Sequence, residues 1–390
     1  QFTGADPTLT AGGAVTFTEG SGTDDTLVLA DLKDLTITTA SANANITLPN
    51  IDGTAGDGND GTDLTILAGS GNVSVKSIDT DINDLRIDGT TITLTGSITT
   101  AAHNPGSADP ASIDINGAAG IGADITLTSG NGTVDFSGAV DSDNGENRAL
   151  TIVSGSGAAA INGAVGTTDA LGNLTINAAG TGAITLSTVG ADAAAGAAVM
   201  AIGNTDTATL TLSGVDYHSA ANAQTYTADA FLITGTDPTF TTANAAIKFV
   251  DGATSDIVLS DAADLTIRTS NGLIDIEPEI IGTANGANTA VTLNAGSGNI
   301  VLDNTGTGVI HTDIGAVSLT STGTITISDG ITTDGENINF VGNVVLNSSG
   351  GTVAISSGTG GGDIDFSATI DGTTAGGNAE NLTILSGTGT

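Results

Sequence analysis

Short apolar runs, polar at alternate positions, recur along the whole chain. Ile184-Thr185-Leu186, Ile300-Val301-Leu302 and Ile325-Thr326-Ile327 are typical. A period of two places every second side chain on one face, which is the signature of half-buried β-strands. Gly, Asn and Asp punctuate the runs at the close intervals expected of short strands joined by turns. These residue types suit turns with positive φ. The elements predicted are many short strands and tight turns.

The runs are themselves repeated. Leu-Thr-Ile begins at Leu35, Leu64, Leu150, Leu174, Leu265 and Leu382, with variants at Ile125, Leu210, Val291 and Val317. Successive anchors often lie about 23 to 29 residues apart, a period typical of repeat architectures. That length holds two or three strands with their turns, which is one coil of a solenoid. A single coil cannot bury its apolar face, whereas stacked coils bury a continuous column. The expected fold is all-β: a right-handed parallel β-helix, one repetitive solenoid over residues 1–390. An antiparallel β-sandwich array also fits short strands at this spacing and is the alternative. Two segments interrupt the rhythm. Residues 101–112 hold two of the six prolines and read as a protruding loop. Residues 215–251 hold five of the ten aromatics and read as wider coils filled by rings, or as an insertion.

Composition narrows the function. A formal net charge of −37 on 390 residues repels phosphates, so nucleic acid and anionic membrane surfaces are excluded as partners. The sequence offers no apolar run long enough for a membrane-spanning helix, so none is expected. The absence of Cys removes disulfides and thiolate chemistry. The chain opens Gln1-Phe2-Thr3 and closes inside a repeat, so a processed subunit or an excerpt of a longer repetitive chain is expected.

The phrases Gly132-Thr133-Val134-Asp135-Phe136-Ser137-Gly138-Ala139-Val140, Ala149-Leu150-Thr151-Ile152, Ala170-Leu171-Gly172-Asn173-Leu174-Thr175-Ile176 and Ala223-Gln224-Thr225-Tyr226 resemble the repeats of filamentous-haemagglutinin-like and β-strand-repeat bacterial surface exoproteins. The resemblance implies a right-handed parallel β-helix, export, and a role as an extended fibre or adhesin stalk. It brings no catalytic or binding residue with it.

Carboxylates are the one abundant reactive group. Asp57 and Asp60 sit in a Gly/Asp run similar to a single calcium-binding β-roll repeat, Asp79 and Asp81 alternate along a second loop, and Asp141, Asp143 and Glu146 share a third. Hard oxygen ligands on a turn suit Ca²⁺, but solvated turn residues explain the same pattern, and no cofactor is required. His103, His218 and His311 lack ligand spacing. No pair of carboxylates stands out as acid and base, so no enzyme is expected. Tyr217 and Tyr226 are either interior rings or a surface platform for glycans.

Terminal coils of a solenoid expose unpaired strand edges. Leu9, Val15 and Phe17 near the start, and Leu382 and Ile384 near the end, are the expected assembly residues. Head-to-tail contact between them would build a homopolymer, since a heterologous contact that does not close gives a filament. The reading is a structural subunit of an extracellular filament, sheath or surface fibre. The alternative is an adhesin stalk that recognises glycans.

Overall fold

Why the same phrase recurs at coil length is answered by its pairing. In the computed structural model the strand Leu35–Thr38 lies parallel to Thr62–Leu67, with Leu35 beside Leu64, Thr36 beside Thr65 and Ile37 beside Ile66. Like residues stack on like, so one apolar position per coil becomes a column through many coils. The strands stack in parallel as a β-solenoid of about 13 turns, and no α-helix is present among the described residues. The antiparallel sandwich alternative is thereby set aside. The structure describes residues 6–18, 26–30, 33–54, 62–79, 81–101, 110–177, 179–191, 194, 196–220, 222–252, 256–261, 263–283, 289–304, 308–311, 313–348, 351–373 and 380–387.

Contacts divide the chain into two compact units, residues 1–190 with 195–203 and residues 191–194 with 204–390. In the first unit one interior column runs Leu35, Leu64, Leu85, Ile113, Val134, Ala159, Ile184. None of these is more than 1% exposed. Burying a Leu or Ile fully stabilises by roughly 1.5–3 kcal/mol, so a column of this kind dominates the cohesion between coils. Turns stack as closely as strands: a Cβ on Gly182 would lie 1.6 Å from the Gly157 carbonyl oxygen, and one on Gly157 2.0 Å from that of Gly132. Only glycine fits that turn column.

In the second unit a column runs Phe231, Ile257, Ile280, Ile310, Ile331, Ile355, Ile384. Residues 215–251 follow the same plan as the coils after them rather than forming an insertion. Asp216–His218 pairs with Thr239–Thr242, and Gln224–Ala228 with Ile247–Asp251. The rings point inward. Tyr217 stacks on Phe240 at 4.6 Å between centroids, and Tyr226 on Phe249 at 5.0 Å. The spacing of neighbouring strands, about 4.8 Å, is close to the separation at which rings stack.

Coil length varies with the turns. Ile325 has Val344 as its partner in the next coil, whereas Ile280 has the more distant Ile310. Register partners therefore spread over a wider range of chain separations than the Leu-Thr-Ile anchors do. Buried Ser and Thr close many of the corners. The hydroxyls of Ser129, Ser154, Ser219, Thr269 and Thr333 each donate to the carbonyl three residues on, at 2.6 to 2.7 Å. The loop expected at 101–112 ends earlier than read, because Ala111 and Ser112 already belong to the strand Ala111–Ile121; residues 102–109 lie outside the described residues.

Candidate functional site

Many of the acids are structural acceptors. An Asp or Asn near the start of an apolar run accepts the N–H of a residue at the matching place one coil later. Asp34 Oδ1 accepts from Asp63 N at 3.1 Å, Asp63 Oδ1 from Asp84 N at 3.1 Å, and Asp84 Oδ1 from Ser112 N at 2.7 Å. In the second unit Asp237 accepts from Asp264 N at 3.2 Å, and Asp264 from Ala290 N at 2.8 Å. Asn299 and Asn337 do the same for Thr324 and Asp363. Each bond satisfies a backbone donor of the next coil. The sequence carries this signal as the Asp or Asn preceding Leu-Thr-Ile at Asp34, Asp63, Asp264 and Asn381.

The ladder places carboxylates close together. Asp63, Asp84, Asp114 and Asp135, with Thr65, Arg86, Ser112 and Thr133, line an open groove of about 510 Å³ in the first unit. Burial pushes the Asp63 carboxyl up, and the charges of Asp34 and Asp84 add to this against the Asp84 N–H. Burial and the neighbouring Asp114 raise Asp135. Arg86 is held by Asp88 at 2.8 Å and is more than half exposed. Carboxylates thus outnumber the single cationic side chain, Arg86, along the groove. In the second unit His311 Nε2 lies 2.8 Å from Glu279 Oε2, and burial with the Glu279 charge raises nearby Asp256.

Of the acidic loops singled out for Ca²⁺, Asp79, Asp81, Asp141, Asp143 and Glu146 fall among the described residues. Asp57 and Asp60 lie outside the described residues. Asp79 and Asp81 flank an undescribed residue, and Asp81 adopts φ 60°. Asp141 Oδ1 accepts from Thr168 N at 3.0 Å, Asp143 opens a one-turn 3-10 helix, and Glu146 pairs with Arg148. Among the described residues no three His, Asp or Glu side chains are grouped as a metal site would need.

The glycan platform is corrected. Tyr217 and Tyr226 are both 0% exposed. The Tyr217 hydroxyl accepts from Gly214 N at 2.8 Å, and that of Tyr226 donates to Gln224 Oε1 at 3.0 Å. Gln224 Nε2 in turn donates to the carbonyls of Tyr217 and Thr241. Both phenols are pushed well above their ordinary range by burial. They form a satisfied interior network and offer nothing to a sugar.

The expected assembly residues sit on strand edges. Thr8–Thr10 pairs along one edge with Leu35–Thr38, and Val15–Thr16 with Ile46–Leu48. Val15 is buried, while Leu9 and Phe17 are half-buried. Asn381–Leu385 pairs along one edge with Thr352–Ser356. Leu382 is half-buried; Ile384 is 47% and Leu385 56% exposed. Among the described residues of the second unit, Val215 at 45% and Val341 at 47% are exposed to a similar degree. No protein-family model, curated protein or solved structure matches this chain.

Proposed function

We propose that the protein is a structural segment of an extracellular filament, sheath or surface fibre, built from stacked solenoid coils and without catalytic activity. One observation carries the reading. The column from Phe231 to Ile355 is no more than 1% exposed at any position and runs through parallel strands of successive coils. A column of this kind is buried only coil against coil, which suits an extended structural element rather than a catalytic one. The absence of Cys, the acidic composition and the likeness to repetitive bacterial exoproteins support an extracellular setting.

Negative-stain micrographs of the concentrated chain test the reading. Fibres one solenoid wide are expected. Monodisperse particles at every concentration would overturn it.

A further inference from the structure

Asp precedes Pro at Asp6-Pro7, Asp109-Pro110 and Asp237-Pro238. We propose that the bond between Asp237 and Pro238 is a self-cleavage site, opened by the Asp237 side chain and held under strain by the coil around it.

The phrase Gly235-Thr236-Asp237-Pro238-Thr239-Phe240 repeats the earlier Gly4-Ala5-Asp6-Pro7-Thr8-Leu9. Both aspartates take the left-handed region, Asp237 at φ 48° and Asp6 at φ 41°. That region crowds the Cβ of any residue but glycine. A following proline narrows the choice further, because its ring crowds the preceding N–H and Cβ and favours extended backbone. The two demands collide at Asp237, so its link to Pro238 is strained. Asp34, Asp63, Asp84 and Asp264 share the place of Asp237 in the acceptor ladder. None of these four has a positive φ, and none precedes proline.

The strain does not relax by a turn of the backbone, because both sides of the bond are tied to the next coil. Asp237 Oδ1 accepts from Asp264 N at 3.2 Å, and Pro238 O from Thr266 N at 3.0 Å. Thr239 N donates to Val215 O in the preceding coil at 2.8 Å. Strain fixed in this way is released as the bond breaks, which favours the transition state over the ground state. Asp237 is exposed and Pro238 buried, so water reaches the acid side of the bond while the proline ring stays anchored.

The chemistry needs only the aspartate and water. Oδ2 of Asp237, the oxygen that Asp264 N does not hold, attacks the carbonyl carbon of the same residue and closes a five-membered ring. The C–N bond to Pro238 breaks, and the proline nitrogen takes a proton from solvent and leaves as a secondary amine. Water opens the cyclic anhydride, which restores the side-chain carboxyl and leaves a C-terminal carboxyl on Asp237. Nothing is oxidised or reduced. Proline has no N–H, so the cut removes no donor from the coil-to-coil ladder. The fragments therefore stay joined by the bonds and buried side chains of neighbouring coils.

The full chain, folded in mildly acidic buffer and unfolded in the same buffer with urea, provides the test, read by intact mass. Fragments 1–237 and 238–390 are expected roughly tenfold faster from the folded chain, the effect of releasing strain of the size such a residue stores. In urea the bond should open no faster than Asp109-Pro110. Asp237→Asn keeps an acceptor for Asp264 N but lacks the carboxylate, and should lose most of the cut. On a sizing column without denaturant the fragments are expected to travel together. Equal rates in folded and unfolded chain, or a faster cut in urea, would overturn the proposal; this comparison needs no variant and so does not depend on how a substitution folds. An Asn variant that keeps the parent's circular dichroism and is cleaved like the parent would overturn the role of the side chain. Fragments that separate without denaturant would overturn the ladder's hold on the nicked chain.

Discussion

Ile355 and Ile384 are register partners on neighbouring strands, yet Ile355 is 1% exposed and Ile384 47%. The difference comes from covering alone. The two side chains are identical and occupy the same column, and among the described residues only Ile355 has a paired strand on both sides.

That pair gives a matched mutational test. Ile355→Ala removes fully packed methylenes and leaves a cavity, so a loss of about 2–5 kcal/mol is expected in urea unfolding of the unassembled chain. Ile384→Ala should cost about 1 kcal/mol or less, because half of the side chain is already in water. In assembled material the gap should narrow. Equal losses in the unassembled chain would mean that Ile384 is covered in solution.

The carboxylate ladder predicts that oxygen matters more than charge. Asp84→Asn keeps an acceptor for the Ser112 N–H and should change stability little. Asp84→Ala leaves that donor without its partner and should cost about 1–3 kcal/mol. Thermal melting of the two variants side by side decides. A larger loss for the Asn variant would mean that the negative charge, and not the bond, is what the position needs.

The raised carboxyls of Asp63, Asp135 and Asp256 fix the sign of one pH effect. A folded-state pKa above the unfolded one means that unfolding releases protons in that window, so stability falls as pH rises through it. Lowering the pH toward the ordinary Asp pKa of about 3.9 is therefore expected to strengthen their contribution and raise Tm. Asp63→Asn, which retains the acceptor oxygen, should flatten the dependence. A Tm that falls over this range in the parent chain would contradict the assignment.

Both tyrosines are interior, and the chain has no Trp, so phenolate absorbance in the near ultraviolet reports on them alone. Neither phenol should ionise near its ordinary pKa of about 10. Absorbance is expected to stay flat through that range and rise only when the alkaline chain unfolds, in step with the loss of circular dichroism. A reversible titration at the ordinary pKa in the folded chain would place a ring at the surface. Tyr226→Phe removes the donor to Gln224 Oε1 and should cost about 1–3 kcal/mol.

Much of the fold was legible because a solenoid writes its coil into the sequence as a repeat. Leu-Thr-Ile carries both the strand period and the coil length. Its parallel stacking follows from like residues pairing with like, which a sandwich would not require. The rings were legible too: Asp216-Tyr217-His218 and Thr225-Tyr226-Thr227 set each tyrosine between polar neighbours, the pattern of an inward position on a strand. Reading Tyr217 and Tyr226 as a platform gives weight to residue type over phase. The carboxylates were harder. An Asp that binds a cation and an Asp that accepts an N–H from the next coil occupy the same turns, and only the three-dimensional register shows Asp63 facing Asp84 N.

The coil-to-coil bonding has a mechanical consequence. Successive coils are joined by backbone hydrogen bonds directed from one coil to the next, so tension applied along the stack loads those bonds and can peel coils away singly. Each coil that opens releases slack on the order of 65–105 Å, at roughly 3.3–3.6 Å per extended residue. A stretched solenoid would thus lengthen in many small steps rather than rupture once, and would rewind from the coils still in place when the load is removed.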